Sequence, residues 1–327
     1  MIQYFVEYSF FALQAITVLL LIFLPFMLIM KAKISGKGAS NKITIEHVNT
    51  ALENSKLAFE SILFDKKALK QRRKNFKRAQ KKGSKLPIKK RSFVCRFDGD
   101  LKASQVEQLR REITAILLVT NAGDEVILVL NSAGGTIHGY GLAASQLSRL
   151  REKGVSLSVC VDSVAASGGY MMACVADHLS AAPFAIIGSV GVIAQIPNFN
   201  KVLKEKNIEY DQITAGEHKR TLTMFGENTI EGRTKFQSEI DDAHQLFKDF
   251  IAKFRPNLDI ENIATGEHWF ASKAIELGLV DAIATSDEVI MQRALTNDVY
   301  EIKADRKKSA FEKLLKPSIN SIVRLIR

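Results

Sequence analysis

Ser167 stands in the small-residue stretch Asp162-Ser-Val-Ala-Ala-Ser-Gly-Gly169, after the β-rich apolar run Val155 to Val161 and before an apolar, helix-compatible run ending at Cys174. A serine hemmed by alanine and glycine at a strand-to-helix turn can be held at a helix N-terminus, where free backbone N–H groups can stabilise an oxyanion. The same residue type also caps helices without doing chemistry. What converges on Ser167 therefore decides between the two.

A second glycine-bearing turn, Asn131-Ser-Ala-Gly-Gly135, closes the preceding apolar run Glu125 to Leu130. Ligands gather at the carboxyl ends of parallel strands. With no side chain in the way, Gly135 can bring its N–H close to a ligand, and Gly168, directly after the serine, offers a second donor. Two such donors would form an oxyanion hole, each contributing roughly 3–4 kcal/mol to a tetrahedral intermediate.

A nucleophilic serine also needs a base. His178, His138 and Lys219 are the candidates. His178 lies past the helix that follows Ser167 and has no evident orienting acid, while His138 begins the helix after the first glycine turn. A lysine must be neutral to act as a base, which calls for burial away from carboxylates. Glu217 stands close to Lys219 in sequence and works against this unless it points outward. Spacing alone leaves lysine and histidine open.

The elements around these residues read as alternating strands and helices. Arg91 to Phe97 is a strand, Ser104 to Val119 a helix, Glu125 to Leu130 a strand covered on both faces, and Ile137 to Arg151 an amphipathic helix. Two βα units in succession imply parallel strands with right-handed crossovers. Leu179 to Pro197 is uncharged, but its Pro and Gly residues favour short buried strands over a membrane span. Asn198 to Lys206 reads as a helix, Glu209 to Thr214 as a strand, Ala215 to Lys219 as a turn, Thr229 to Phe254 as a long helix and Ser272 to Gly278 as another.

Four ordered segments carry a family resemblance: SAGG at 132–135, DSVAASGGYMMAC at 162–174, IGSVGV at 187–192 and TAGEHKRTLTMFGENT at 214–229. Together they resemble the signal peptide peptidase A family, in its bacterial SohB-like branch, and the likeness covers essentially the whole chain. The resemblance implies an α/β, ClpP/crotonase-like fold of repeated ββα units. It also implies a membrane-anchored serine endopeptidase with a Ser–Lys dyad, no cofactor, and ring-like homo-oligomers. Ser167 matches the family's nucleophile and Lys219 its general base. Ser189 matches the serine that hydrogen-bonds the lysine, and Gly135 and Gly168 match the oxyanion donors. Ala133 departs from the family's usual proline, which loosens the turn before Gly135 but removes no reacting group.

Composition fits this reading. The 327 residues are 46% hydrophobic and 25% charged, suiting a globular chain. The net charge of +11 is concentrated between residues 66 and 91, which hold 14 Lys/Arg and no acid. That run lacks the motif or interleaved aromatics of a nucleic-acid site, so it reads as a helical linker or a strip lying along anionic headgroups. Cys95, Cys160 and Cys174 form no metal or disulfide pattern and read as buried free thiols.

Phe10 to Met30 contains no charge and at about 1.5 Å per residue spans roughly 30 Å, one hydrocarbon core. The expected organisation is a flank at 1–9, a transmembrane anchor at 10–30, a basic helical linker at 31–91, the peptidase domain at 92–300 and a basic amphipathic tail at 301–327. The implied location is the bacterial inner membrane. Lys31, Lys33 and Lys37 favour a cytoplasmic catalytic domain, whereas the resemblance favours a periplasmic one. The expected partner is a peptide or protein substrate, unfolded or membrane-derived, with small or apolar residues before the cut. Two rivals stand beside this: a crotonase-like acyl-CoA enzyme using the same glycine-built hole, and an inactive membrane scaffold binding anionic lipid or nucleic acid.

Overall fold

The computed structural model describes residues 42–65 and 90–305, with scattered helical positions between 10 and 23 and between 67 and 78. The chain divides into two compact units, residues 44–303 and a second formed by 1–43 with 304–327. In the second unit the described positions between 10 and 23 are helical, with exposed apolar side chains from Phe10 to Phe23. Among the described residues no helix is long and apolar enough to cross a membrane. Part of the expected span at 10–30, most of the basic run and the tail beyond 305 lie outside the described residues.

The larger unit is a mixed α/β body built on one extended sheet. In chain order it comprises β1 (Ile43–His47), α1 (Val48–Leu63), β2 (Arg91–Gly99), α2 (Val106–Leu117), β3 (Glu125–Ser132), α3 (Ile137–Glu152), β4 (Ser156–Val161), β5 (Val164–Ala166), α4 (Gly168–Ala173), β6 (His178–Ala181) and β7 (Ile186–Gly188). There follow α5 (Asn200–Glu205), α6 (Ile230–Phe254), α7 (Ile260–Ile263), β8 (His268–Phe270), α8 (Ala271–Ala274), β9 (Ala282–Ile283), α9 (Ser286–Thr296) and β10 (Asp298–Ala304). The main path runs β1-β10-β2-β3-β4-β6-β9, and the ladders from β10 through β9 are parallel.

Parallel strands covered on both faces need near-continuous apolar sequence, and β3 and β4 supply it. Ile127, Leu128, Leu157 and Val159 are fully buried. Leu109 and Ile113 of α2 and Leu147 and Leu150 of α3 are also buried. Val289 and Ile290 of α9 cluster with Val94, Ile127 and Val299, with Val48 packed against them. All three cysteines are free and buried. Burial pushes the Cys160 and Cys174 thiols up to about 12, so neither is a nucleophile at neutral pH.

The sheet departs from a simple layer at the carboxyl end of β3. That strand outlasts β4, and its last residue, Ser132, pairs with Ala165 of β5. Strand β5 pairs in parallel with β7, and β7 pairs antiparallel with β8. The break at Asp162-Ser163 thus carries the chain from the first run of strands to a second. Asp162 anchors the break by accepting the Ser286 N–H at 2.7 Å at the start of α9.

Three sequence expectations are corrected. Within the expected helical linker 31–91, Ile43 to His47 is a strand, because β-branched Ile43, Thr44 and Ile45 find a ladder beside β10. Asn49 then ties α1 down, donating to the carbonyls of Ala294 and Asn297 and accepting the Val299 N–H at 2.8 Å. Glu209 to Thr214 forms no strand: no neighbouring strand offers it a ladder, and Ile213 is 96% exposed. The helix expected over Ser272 to Gly278 is the single turn α8, and the chain turns at Gly278 with φ +76°.

Candidate active site

The pairing of Ser132 with Ala165 sets the carboxyl end of β5 beside the loop that leaves β3. The Gly134 Cα consequently lies against the turn between β5 and α4. A methyl group placed on it would come within 2.7 Å of the Gly168 nitrogen and 2.8 Å of the Ser167 Cβ. Gly134 also has φ +91°, in the region that favours glycine. The two glycine turns therefore meet.

Ser167 takes φ +52° and ψ −120°, a conformation that costs a non-glycine residue about 1–3 kcal/mol. The surroundings hold it there. Its N–H donates to the Gly188 carbonyl at 2.8 Å, continuing the β5–β7 pairing, and its carbonyl accepts the Met171 N–H at 3.0 Å as the first turn of α4 closes. The side chain caps nothing, so helix capping does not account for this serine. Gly168 is the first helical residue, and an N–H at that position has no intrahelical acceptor.

Ser167 and Gly168 line a cavity of about 370 Å³ together with Gly135, Thr136 and His138. The rest of the wall is mostly apolar: Ile137 and Met171, residues 191–194 after β7, and Ile240, Ala243 and Phe247 of α6. Such a lining favours small or apolar side chains by burying their surface. The Thr136 hydroxyl oxygen is buried without a hydrogen-bond partner among the described residues.

The structure thus brings Ser167, Gly135, Gly168 and His138 together. It does not bring Lys219 or His178 to them within one chain. Lys219 lies in an exposed turn after Gly216, and Glu217 beside it is exposed as well. His178 is exposed at the start of β6 and does not line the cavity. Ser189 is half-buried directly after β7, with φ +52° and its N–H on the Glu267 carbonyl at 2.6 Å. It neighbours the Gly188 carbonyl that holds Ser167. No group of acids, histidines and cysteines able to hold a metal occurs among the described residues.

Sequence reasoning missed the contribution of α6 to the cavity. It read 229–254 only as a long helix. Ile240 and Phe247 line the cavity, and Leu246 is exposed. It also passed over Ser132 and Tyr140, whose hydroxyls are hydrogen-bonded to each other behind the loop that carries Gly134 and Gly135.

Residues 3–147 match the N-terminal region of peptidase family S49, and residues 149–299 match peptidase family S49 itself. A probable protease SohB of Haemophilus influenzae is 45% identical over 98% of this chain and 94% of its own. A protein of the same description from Buchnera aphidicola subsp. Acyrthosiphon pisum is 56% identical over 69% of this chain and 67% of its own. Protease 4 of Haemophilus influenzae is more distant, 28% identical over 52% of this chain and 28% of its own. With a convergent serine turn, an apolar cavity and likeness along nearly its full length, the chain belongs to the S49 peptidases, in their SohB-like branch.

Proposed function

We propose that the protein is a membrane-anchored serine endopeptidase with a ClpP/crotonase-like fold, acting through a Ser167–Lys219 dyad. The observation that carries this reading is Ser167 itself. In a chain of peptidase lineage, it is a strained, uncapped serine sharing an apolar cavity with Gly135 and Gly168.

The Ser167 oxygen attacks the scissile carbonyl carbon while the Lys219 amine takes the hydroxyl proton. The N–H groups of Gly135 and Gly168 receive the oxyanion. When the C–N bond breaks, the proton passes from Lys219 to the leaving amine and an acyl-enzyme remains. Water, deprotonated by the same amine, then releases the acyl group as acid. Ser189 orients the lysine.

Because Lys219 is exposed in one chain, the dyad requires a second copy to bring it to Ser167 and to shield it from water. The exposed apolar side chains Ile208 and Ile213, in the stretch before Lys219, are suited to such an assembly. The stretch 10–30 supplies the anchor in the bacterial inner membrane. Substrates are unfolded or membrane-derived peptides with small or apolar residues before the cut.

His138 supports a second reading, because it lines the cavity with Ser167 in the single chain. Peptide cleavage by the full-length protein separates the two. The dyad predicts that Ser167→Ala and Lys219→Ala each lose at least about 1,000-fold in kcat, with His138→Ala retaining most activity. Loss in His138→Ala and persistence in Lys219→Ala would replace lysine with histidine. Activity in Ser167→Ala would overturn both.

A further inference from the structure

Tyr140 is fully buried in α3, does not line the cavity, and yet touches what holds both oxyanion donors in place. On one side its ring lies under Gly168, where an added methyl group would meet Tyr140 Cβ at 2.7 Å and Cδ2 at 2.8 Å. On the other side its hydroxyl is 2.8 Å from the Asp100 carbonyl and 2.5 Å from the Ser132 hydroxyl. A carbonyl can only accept, so the phenol donates to Asp100 and accepts from Ser132. The Ser132 oxygen in turn accepts the Gly134 N–H at 3.1 Å. The result is a one-directional chain of hydrogen bonds, Gly134 to Ser132 to Tyr140 to Asp100, whose members polarise one another.

The loop at Asp100 also supports the first donor. The Leu101 carbonyl accepts the Thr136 N–H at 2.9 Å, and the Gly135 Cα rests against that same peptide group. One side chain therefore grips the loop around Gly135 from two directions and supports Gly168 from beneath. From this geometry we propose that Tyr140 is a positioning residue that fixes the spacing of the Gly135 and Gly168 N–H groups. The inference rests on the reading of those two glycines as oxyanion donors.

Tyr140→Phe keeps the ring under Gly168 and removes only the hydroxyl link. The expected result for the full-length protein is a fall of about 10- to 30-fold in kcat with KM within about twofold, since misplaced donors weaken the transition state more than the ground state. Affinity for a peptide boronate, which becomes tetrahedral on the serine, should fall by the same factor. Affinity for a reduced-amide peptide of the same sequence should not change. Ser132→Ala breaks the same chain one link earlier and should give a similar loss, with the double variant little worse than either single one. Thermal melts of each variant set an assay temperature at which all are folded.

Wild-type kcat in Tyr140→Phe would overturn the inference. So would a rise in KM alone, or equal weakening of the boronate and the reduced-amide peptide. Ser167→Ala, run in parallel, separates the two levels. If that variant is inactive and Tyr140→Phe is normal, only the role of Tyr140 falls. If Ser167→Ala cleaves normally, the peptidase reading falls and the role of Tyr140 falls with it.

Discussion

The backbone N–H of Ser167 donates to the carbonyl of Gly188 at 2.8 Å. This bond locks the serine into its positive-φ conformation and occupies the serine's own amide. Under the proposed mechanism, that leaves the N–H groups of Gly168 and Gly135 as the donors for the oxyanion. It also ties the end of β7 to Ser167, and Ser189 follows directly after that strand.

Gly134 lies against the turn that carries Ser167 and Gly168, which makes it a sensitive probe. Gly134→Ala adds a methyl group against the Gly168 nitrogen at a φ of +91°. Peptide hydrolysis should fall by at least about 100-fold, as expected for displacing an oxyanion donor. Gly141→Ala is the control. It lies in α3 with open space around the new methyl group and should leave kcat unchanged while raising stability by about 0.5–1 kcal/mol. Hydrolysis rates and denaturant melts of the pair check both.

The cavity wall from α6 should set which side chain precedes the cut. Ala243→Phe fills space lined by Ile240 and Phe247. It should lower kcat/KM for a peptide with leucine at that position by about 10-fold or more while sparing alanine. Phe247→Ala should shift preference toward larger apolar residues. A peptide series varied at that one position measures the change.

If Lys219 acts on the serine of another copy, two inactive variants should complement each other. Ser167→Ala and Lys219→Ala proteins, mixed and allowed to exchange subunits, should recover about a quarter of wild-type activity for random assembly in a closed ring. Neither variant should recover alone. Cleavage assays before and after exchange read the outcome.

The Asp124–Arg91 pair predicts a pH dependence of stability. Burial pushes the Asp124 carboxyl up. Hydrogen bonds from the Arg91 side chain and from the Asn121 and Arg91 amides outweigh burial and hold it below its usual value. A depressed carboxylate contributes stability that is complete above its unfolded pKa of about 3.9 and disappears as pH falls through the lower, folded value. Asp124→Asn should thus be less stable than wild type by about 1–3 kcal/mol at pH 7, with the gap closing below about pH 4. Urea melts across that range test the sign.

Strands β2, β3 and β4 and helices α2, α3 and α6 were legible because buried parallel strands and amphipathic helices leave strong periodic signals. Strand β1 was hidden because five residues before a helix carry no clear period of their own; only β10, some 250 residues later, makes them a strand. Residues 209–214 show the converse, a β-like composition with no partner strand. At the site, Ser167, Gly135 and Gly168 announced themselves through small residues at strand ends. Tyr140 did not, because an aromatic residue in an amphipathic helix reads as core; its hydrogen bonds to Ser132 and Asp100 exist only in three dimensions. Lys219 was one of three candidate bases in the sequence, the family resemblance selected it, and a single chain leaves it exposed.

The most direct test is to locate the reactive serine. The full-length protein is treated with a fluorophosphonate and digested with trypsin, and the modified site is found by fragmentation mass spectrometry. One adduct is expected, on Ser167 within the fragment from Gly154 to Lys201, and none in Ser167→Ala. An adduct on another serine, or peptide cleavage that persists in Ser167→Ala, would contradict it.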